Sequence, residues 1–243
     1  MEERLQKVMA RAGMGSRRQC EEWIRQGRVV VNGEVAQLGT KADPTRDEIV
    51  VDGERLSEPE PLVYVMVNKP AGVISDEDVA EEHQTVRDMV SLPGHLYTVG
   101  RLDLRSEGLI LLTNDGELTN KLTHPRYEHP KIYHVLAQGA PSGDVLATWQ
   151  RGVILEGQKT APAQVRVIKK EGRNTWLEVT LREGRKRQIR KAAALLGHPA
   201  LRVIRVGLGP LTLGNLRPGA WRHLRPDEVA ALLHVRESRR RRK

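Results

Sequence analysis

GRLDLRSEGLILLTNDG, residues 100–116, organises the reading of this chain. The residues just before it, Tyr97-Thr98-Val99, are strand-like, and Leu109 to Leu112 form a short apolar run of the kind a buried strand carries. Asn114-Asp115-Gly116 closes the segment as a polar turn. One carboxylate, Asp103, therefore lies on a loop between two strands, with Arg101 two residues before it. An acid held between a cation and an apolar wall is a candidate site, since the wall excludes water and the cation keeps the acid ionised. The same residues also describe a hairpin with a surface Asp–Arg contact, and spacing alone leaves both readings open.

Working toward the C-terminus, Lys131 to Ala137 alternates as a strand, with Tyr133 and His134 on opposite faces. A short helix is expected over Glu117 to Leu122 and another near Asp144 to Gln150, with strands around Gln164 to Ile168 and Thr175 to Leu181. A helix starting near Arg187 places Ile189, Ala193 and Leu196 on one face and Arg187, Arg190 and Lys191 on the other. Upstream, Leu62 to Val67 reads as a strand, Asn68-Lys69-Pro70-Ala71-Gly72 as a turn, and residues 76–84 as an acidic polar loop. Helices and antiparallel-looking strands interleave without regular βαβ spacing, so the class is α+β: a mixed, mainly antiparallel sheet with flanking helices.

The first fifty residues form a unit of their own. Leu5, Val8, Met9 and Ala12 recur at helical spacing, and the helix stops at Gly13. Ser16 followed by Gln19 is a capping box that opens a second helix ending at Gly27. Val29 to Val31 and Glu34 to Ala36 flank Asn32-Gly33, a type I′ hairpin signal. The helices display Arg4, Lys7, Arg11, Arg17, Arg18 and Arg25, a face for RNA or simply for solvent; residues 1–48 hold nine bases against eight acids. Ser57 to Pro61, with two prolines and no apolar residue, reads as a stiff linker. The expected organisation is a domain over 1–56, a linker over 57–61, a larger domain over 62–235 and a basic, disordered tail over 236–243.

Composition narrows the class of function. Of the net charge of +9, residues 184–243 hold sixteen Lys and Arg against three acids, while the rest is slightly acidic. Ten cations against two acids remain when the tail is set aside, which is the electrostatic footprint of a polyanion partner, nucleic acid above all. The hydrophobic fraction of 39% suffices for a core, but Phe is absent and Leu, Val and Ile must fill it. No apolar run approaches the roughly 18 residues of a membrane span, and Met1 to Arg4 lacks a secretory layout. A lone cysteine, Cys20, expected beside Trp23 on the second helix, fits a buried thiol in a cytoplasmic protein. There is neither a GxxxxGK[ST] nor a GxGxxG loop, and His124, His129 and His134, five apart, match no zinc spacing, so no metal is expected.

The 100–116 run resembles the catalytic segment of the RsuA/RluB-like pseudouridine synthases, enzymes of small- or large-subunit ribosomal RNA. Lys131-Ile132-Tyr133-His134-Val135 resembles that family's KxYxV strand, Arg185 to Lys191 its third motif, and Gly197-His198-Pro199 with Arg202 and Arg205 its tail. SRRQCEEWIRQGRVVVNG, residues 16–33, is similar to the S4-like RNA-binding domain. Arg105, and Ala192-Ala193 where bulkier residues are common, are the departures.

The resemblance implies that Asp103 is the catalytic residue, that Tyr133 stacks on the target base, and that Arg190 pairs with Asp103 inside a dry pocket. Arg101 would either fill the place of the extruded nucleotide or hold a phosphate. Arg185, Lys186, Arg187 and Lys191, with the six N-terminal cations, would contact RNA. The implied reaction is the isomerisation of uridine to pseudouridine in ribosomal RNA, the large-subunit RNA being the expected substrate, without a cofactor and by a monomer. A catalytically silent RNA-binding assembly factor and a small-subunit enzyme are the competing readings.

Overall fold

A capping box starts the second of two short N-terminal helices: Ser16 Oγ accepts from the Gln19 amide, and Gln19 Oε1 accepts from the Ser16 amide. Two of the orphan donors of a helix N-terminus are thereby satisfied. The computed structural model to which these contacts belong describes residues 1–58, 60–75 and 84–234. The expected tail at 236–243 and all but Gln84 of the loop expected at 76–84 lie outside them.

The chain divides into two units, the smaller made of Met1–Val63, Leu92–Tyr97 and Asn114–Gly116. It runs β1 (Glu3–Arg4), α1 (Leu5–Arg11), α2 (Arg17–Arg25), β2 (Val29–Val31), β3 (Glu34–Val35), β4 (Lys41–Ala42), β5 (Ile49–Val51) and β6 (Glu54–Arg55). Asn32 and Gly33 both take positive φ, 53° and 86°, as a type I′ hairpin between β2 and β3 requires. Leu5, Val8, Met9, Cys20, Ile24, Val29 and Val51 make the core, with Trp23 packed against it. Burial pushes the Cys20 thiol pKa up to about 11, so it is held as the neutral thiol. The segment expected as a linker sits within this unit. Asn114 fastens its end, donating to the Pro61 carbonyl and accepting from the Val63 amide.

The larger unit comprises Tyr64–Ser91, Thr98–Thr113 and Glu117–Lys243. Its strands are β7 (Tyr64–Lys69), β8 (Tyr97–Thr98), β9 (Glu107–Thr113), β10 (Lys131–Ala137), β11 (Ile154–Leu155), β12 (Gln158–Lys159), β13 (Gln164–Glu171), β14 (Asn174–Leu181), β15 (Ala200–Leu208), β16 (Leu211–Thr212) and β17 (Trp221–His223). Between them lie α3 (Gly116–Thr123), α4 (Gly143–Arg151), α5 (Gln188–Leu195) and α6 (Pro226–Leu233). Nine strands form one sheet in the order β13-β14-β10-β15-β9-β7-β17, with β16 on β15 and β8 on β9. The α+β, mainly antiparallel class holds; β15 and β9 run parallel.

Two cores flank this sheet. Along β14, Thr175, Leu177, Val179 and Leu181 are buried at period two, and the three apolar ones pack with Val135, Val203, Trp149 and the α5 residues Ile189, Ala192 and Ala193. The small Ala192 and Ala193 are both buried, which lets α5 lie close on the sheet. The second core joins Met66, Leu109 and Leu111 to Leu118, Leu122, Leu224 and Leu232. β9 has neighbours on both edges and is buried from Gly108 to Thr113, as its unbroken apolar run demanded.

One expected boundary is overturned. The strand read as Leu62 to Val67 runs instead from Tyr64 to Lys69; Leu62 is exposed, and the turn begins only at Pro70. Lys69 is the reason. Its side chain is fully buried, with Nζ donating to the carbonyls of Ser106 (2.8 Å), Pro70 (3.0 Å) and Leu104 (3.4 Å). A polar head with three acceptors can be buried at the end of a strand, where charge and a neighbouring proline alone suggest a turn.

Burial drives the Lys69 pKa down from 10.5 to about 8, against the opposing pull of the Glu107 and Asp103 carboxylates. The unfolded chain then binds more protons than the folded one between those values, so the Lys69 contribution to stability rises with pH from about 8 to 10.5. Denaturant unfolding at pH 8 and pH 10 is expected to show the native protein gaining on Lys69→Met by on the order of 1 kcal/mol per pH unit. Parallel curves would contradict the assignment. A second expectation concerns Gly108, whose φ is +102° and whose absent Cβ would stand 2.2 Å from the Arg205 carbonyl oxygen. Gly108→Ala is expected to destabilise the fold by about 3 kcal/mol, through overpacking and a strained φ together. Thermal unfolding within a degree or two of the native protein would refute the close approach.

Candidate active site

The loop between β8 and β9 is fixed almost entirely through its backbone. Ser75 Oγ donates to the Leu102 carbonyl and accepts from the Leu102 amide. The Ser106 amide donates to the Asp103 carbonyl, and the Gly72 amide to the Leu104 carbonyl. Arg190 Nη2 donates to the Arg105 carbonyl at 2.8 Å, and Lys69 holds the Ser106 carbonyl from beneath. Every carbonyl from Leu102 to Ser106 thus has a donor. Among the described residues, the Asp103 carboxylate has neither a hydrogen bond nor an ion pair.

Asp103 lies on the wall of a cavity of about 300 Å3 in the larger unit. Arg101, Tyr133 and Arg190 line the same cavity, so the four residues singled out as the catalytic set converge from a loop, a strand and a helix. Tyr133 is half-buried on β10, opposite Val179 of β14 and Arg205 of β15. His134 points the other way, toward Glu178 at 3.7 Å. α5 brings Gln188, Ile189 and Arg190 to the cavity. Its first turn follows Arg187, a non-glycine residue at φ 55°, the left-handed conformation that side chains resist.

Two features differ from what the resemblance implied. Asp103 is exposed rather than enclosed, because Arg101, Leu104 and Arg105 around it face solvent too and leave the cavity mouth open. Arg190 does not pair with Asp103. Nη1 donates to the Ala200 carbonyl at 3.0 Å and Nη2 to the Arg105 carbonyl, while Nε is buried with no hydrogen-bond partner among the described residues. Its Nη2 holds the loop through the Arg105 carbonyl, and burial lowers the Arg190 pKa while the Asp103 charge opposes that.

The cations expected on RNA divide similarly. Arg185, Lys186 and Arg187 line the cavity. The Arg185 guanidinium, however, is bonded to the Gln158 and Lys159 carbonyls and lies near Glu183. Lys191 pairs with Glu156. In the smaller unit Arg25 pairs with Glu22, and Lys7 and Arg11 share Glu3. Arg4, Arg17 and Arg18 are exposed. Arg25 and Lys7 find their acids one helical turn away, which the basic count alone conceals.

Sequence reasoning missed Lys69 and gave Arg205 no task. Lys69 was hidden by the proline after it. Arg205 did carry a signal: it stands two residues from Val203, on the face of β15 that the apolar residues mark as buried. Among the described residues no group of three or more His, Cys, Asp or Glu is placed to hold a metal ion, and no helix is long and apolar enough to cross a membrane.

Comparison with known proteins agrees with this arrangement. A family model described as RNA pseudouridylate synthase matches residues 63–195, and the S4 domain model matches residues 3–49. A ribosomal large subunit pseudouridine synthase B of Bacillus subtilis is 42% identical over 234 residues, covering 95% of both chains. An RNA pseudouridine synthase of Aquifex aeolicus is 40% identical, covering 96% of this chain and 94% of its own. A crystal structure of a pseudouridylate synthase superposes with a TM-score of 0.69 at 30% identity, over 94% of this chain and 99% of that one. With Asp103, Tyr133 and Arg190 on one cavity and these matches along nearly the whole sequence, the chain belongs to the RNA pseudouridylate synthase family and carries an S4 domain before the synthase domain.

Proposed function

We propose that this enzyme isomerises a uridine in ribosomal RNA, the large-subunit RNA by preference, with Asp103 as the catalytic residue. The observation that carries the reading is the loop whose carbonyls are all bonded while its one carboxylate is unbonded at a cavity mouth. A carboxylate with no hydrogen bond or ion pair among the described residues has no such contact to lose when it meets a ribose. A pinned backbone keeps it in place as charge moves. The large-subunit preference is supported by the name of the Bacillus subtilis relative, and RNA affinity by the S4 match.

In this reading the uridine leaves its stack, at a cost of a few kcal/mol, and its base enters the cavity against Tyr133. Stacking on an aromatic ring returns roughly 1–3 kcal/mol of that cost. Asp103 then acts at the ribose, by attack at C1′ or removal of the C2′ proton, and the bond from C1′ to N1 breaks. The base turns, C1′ bonds to C5, the C5 hydrogen leaves and N1 gains one. Atoms balance without a redox partner, and the base itself closes the mouth that leaves Asp103 exposed. Lys186 and Arg187 stand at the cavity for phosphates, and Arg101 for a phosphate or for the gap left in the RNA.

Large- and small-subunit ribosomal RNA carrying tritium at uracil C5 tests this in vitro. Release is expected from the large-subunit RNA with the native enzyme. Asp103→Asn should slow it by about 10²–10⁴-fold or more, with RNA affinity within a few fold. Equal loss of affinity and turnover would remove Asp103 from the chemistry. Turnover on neither RNA would favour the silent assembly factor, and turnover on the small-subunit RNA alone would move the substrate.

A further inference from the structure

At the floor of the cavity one cation has no acidic partner and no solvent. Arg205 is only 2% exposed, yet its ion-pairing partners among the described residues number none. Nε donates to the Leu109 carbonyl at 2.6 Å, while Nη2 is buried with no hydrogen-bond partner among the described residues. An unpaired buried donor of a charged group costs about 1–3 kcal/mol or more, so a fold retains one where something else will accept from it.

Its position says what. Arg205 lies directly across from Tyr133 in the antiparallel register, and paired residues of neighbouring strands share a face. Arg205, Val203 and Leu208 of β15 line the cavity together with Tyr133 and Lys131 of β10. Lys131 is itself partly buried, its pKa lowered by burial and by the Arg205 charge, which places two positive charges within reach of each other. The register shift between Ile132 and Tyr133 puts Leu208 on the same face, an apolar side to this basic floor.

Depth selects the ligand. The phosphates of a polynucleotide run along its outside and meet exposed cations such as Arg101, Arg182 and Arg187 at the cavity rim. What reaches a side chain buried beside Tyr133 is the base stacked on that ring. We infer that Arg205 Nη2 donates to a carbonyl oxygen of the flipped uracil and is a catalytic residue for departure of the base. When the bond from C1′ to N1 breaks, its electron pair stays with the uracil, and the negative charge spreads to O2 and O4. A donor that meets one of those oxygens as charge builds on it binds the departing base more tightly than the ground state. At that step Asp103 either bonds to C1′ or takes the C2′ proton, and no proton moves to the base. The charge leaves the oxygens again as C5 bonds C1′ and N1 is protonated.

This assignment rests on the cavity being the uridine site, and the experiment separates the two. Single-turnover isomerisation is measured on RNA carrying uridine, 2-thiouridine or 4-thiouridine at the target, with the native enzyme, Arg205→Lys and Asp103→Asn. Sulfur accepts hydrogen bonds poorly, so one of the two thio substitutions is expected to slow the native enzyme about tenfold or more, since a hydrogen bond to a charged group is worth about 1.5–3 kcal/mol. Lysine keeps the charge and can still meet the Leu109 carbonyl but has no Nη2, so the same substitution should cost Arg205→Lys less than about threefold. A purely structural role would leave the sulfur penalty equal in both proteins, and that result overturns the assignment. Should Arg205→Lys not fold, the native enzyme alone decides: no penalty from either thio base overturns the contact, and a penalty confined to one of them supports it. If Asp103→Asn turns over normally, the site reading itself fails whatever Arg205 does.

Discussion

The saturation of one loop's backbone is the constraint on which the site depends. Between Leu102 and Ser106 each carbonyl accepts from a donor brought from elsewhere: Ser75, Ser106, Gly72, Arg190 and Lys69. Two of those donors are cations, and a cation bonded to carbonyls rather than to a carboxylate fixes a backbone without neutralising the acid on it. Lys69 does this from the buried end of β7 and Arg190 from α5, so a strand and a helix both fix one five-residue stretch. The same arrangement explains why Arg190 can matter to Asp103 without touching it.

Gly108 links that loop to the cavity floor. It is the first buried residue of β9 and pairs with Arg205, and its lack of a side chain allows the Arg205 backbone to pass where a Cβ would stand. The antiparallel register of β10 with β15 sets Arg205 across from Tyr133, and the parallel contact of β9 with β15 sets it across from Gly108. The parallel β9–β15 pairing and the backbone of the buried Arg205 therefore meet at one glycine, in the segment that also bears Asp103.

Much of this was legible in the residues, for reasons that can be named. The capping box at Ser16, the hairpin at Asn32-Gly33, the strands β10 and β14 and the apolar run of β9 follow local codes, and the chain obeys them. Convergence of Asp103, Tyr133 and Arg190 was legible only through resemblance, because nothing in spacing brings residues 30 and 57 positions apart to one cavity. What stayed hidden was the choice of partner. Lys69 next to Pro70 has the composition of a turn, and only the acceptors assembled around it make a buried strand end preferable. A guanidinium beside an acid suggests an ion pair, yet the carbonyls of Arg105 and Ala200 claim Arg190 because burial makes unsatisfied backbone acceptors expensive.

The central claim is that Asp103, held on its pinned loop, converts a uridine of large-subunit ribosomal RNA into pseudouridine. It is tested most directly by mapping pseudouridine with carbodiimide across both ribosomal RNAs, in cells without this protein and after return of the native or the Asp103→Asn chain. The account predicts one large-subunit site lost, restored by the native chain and not by the variant. An unchanged map, or restoration by Asp103→Asn, would contradict it.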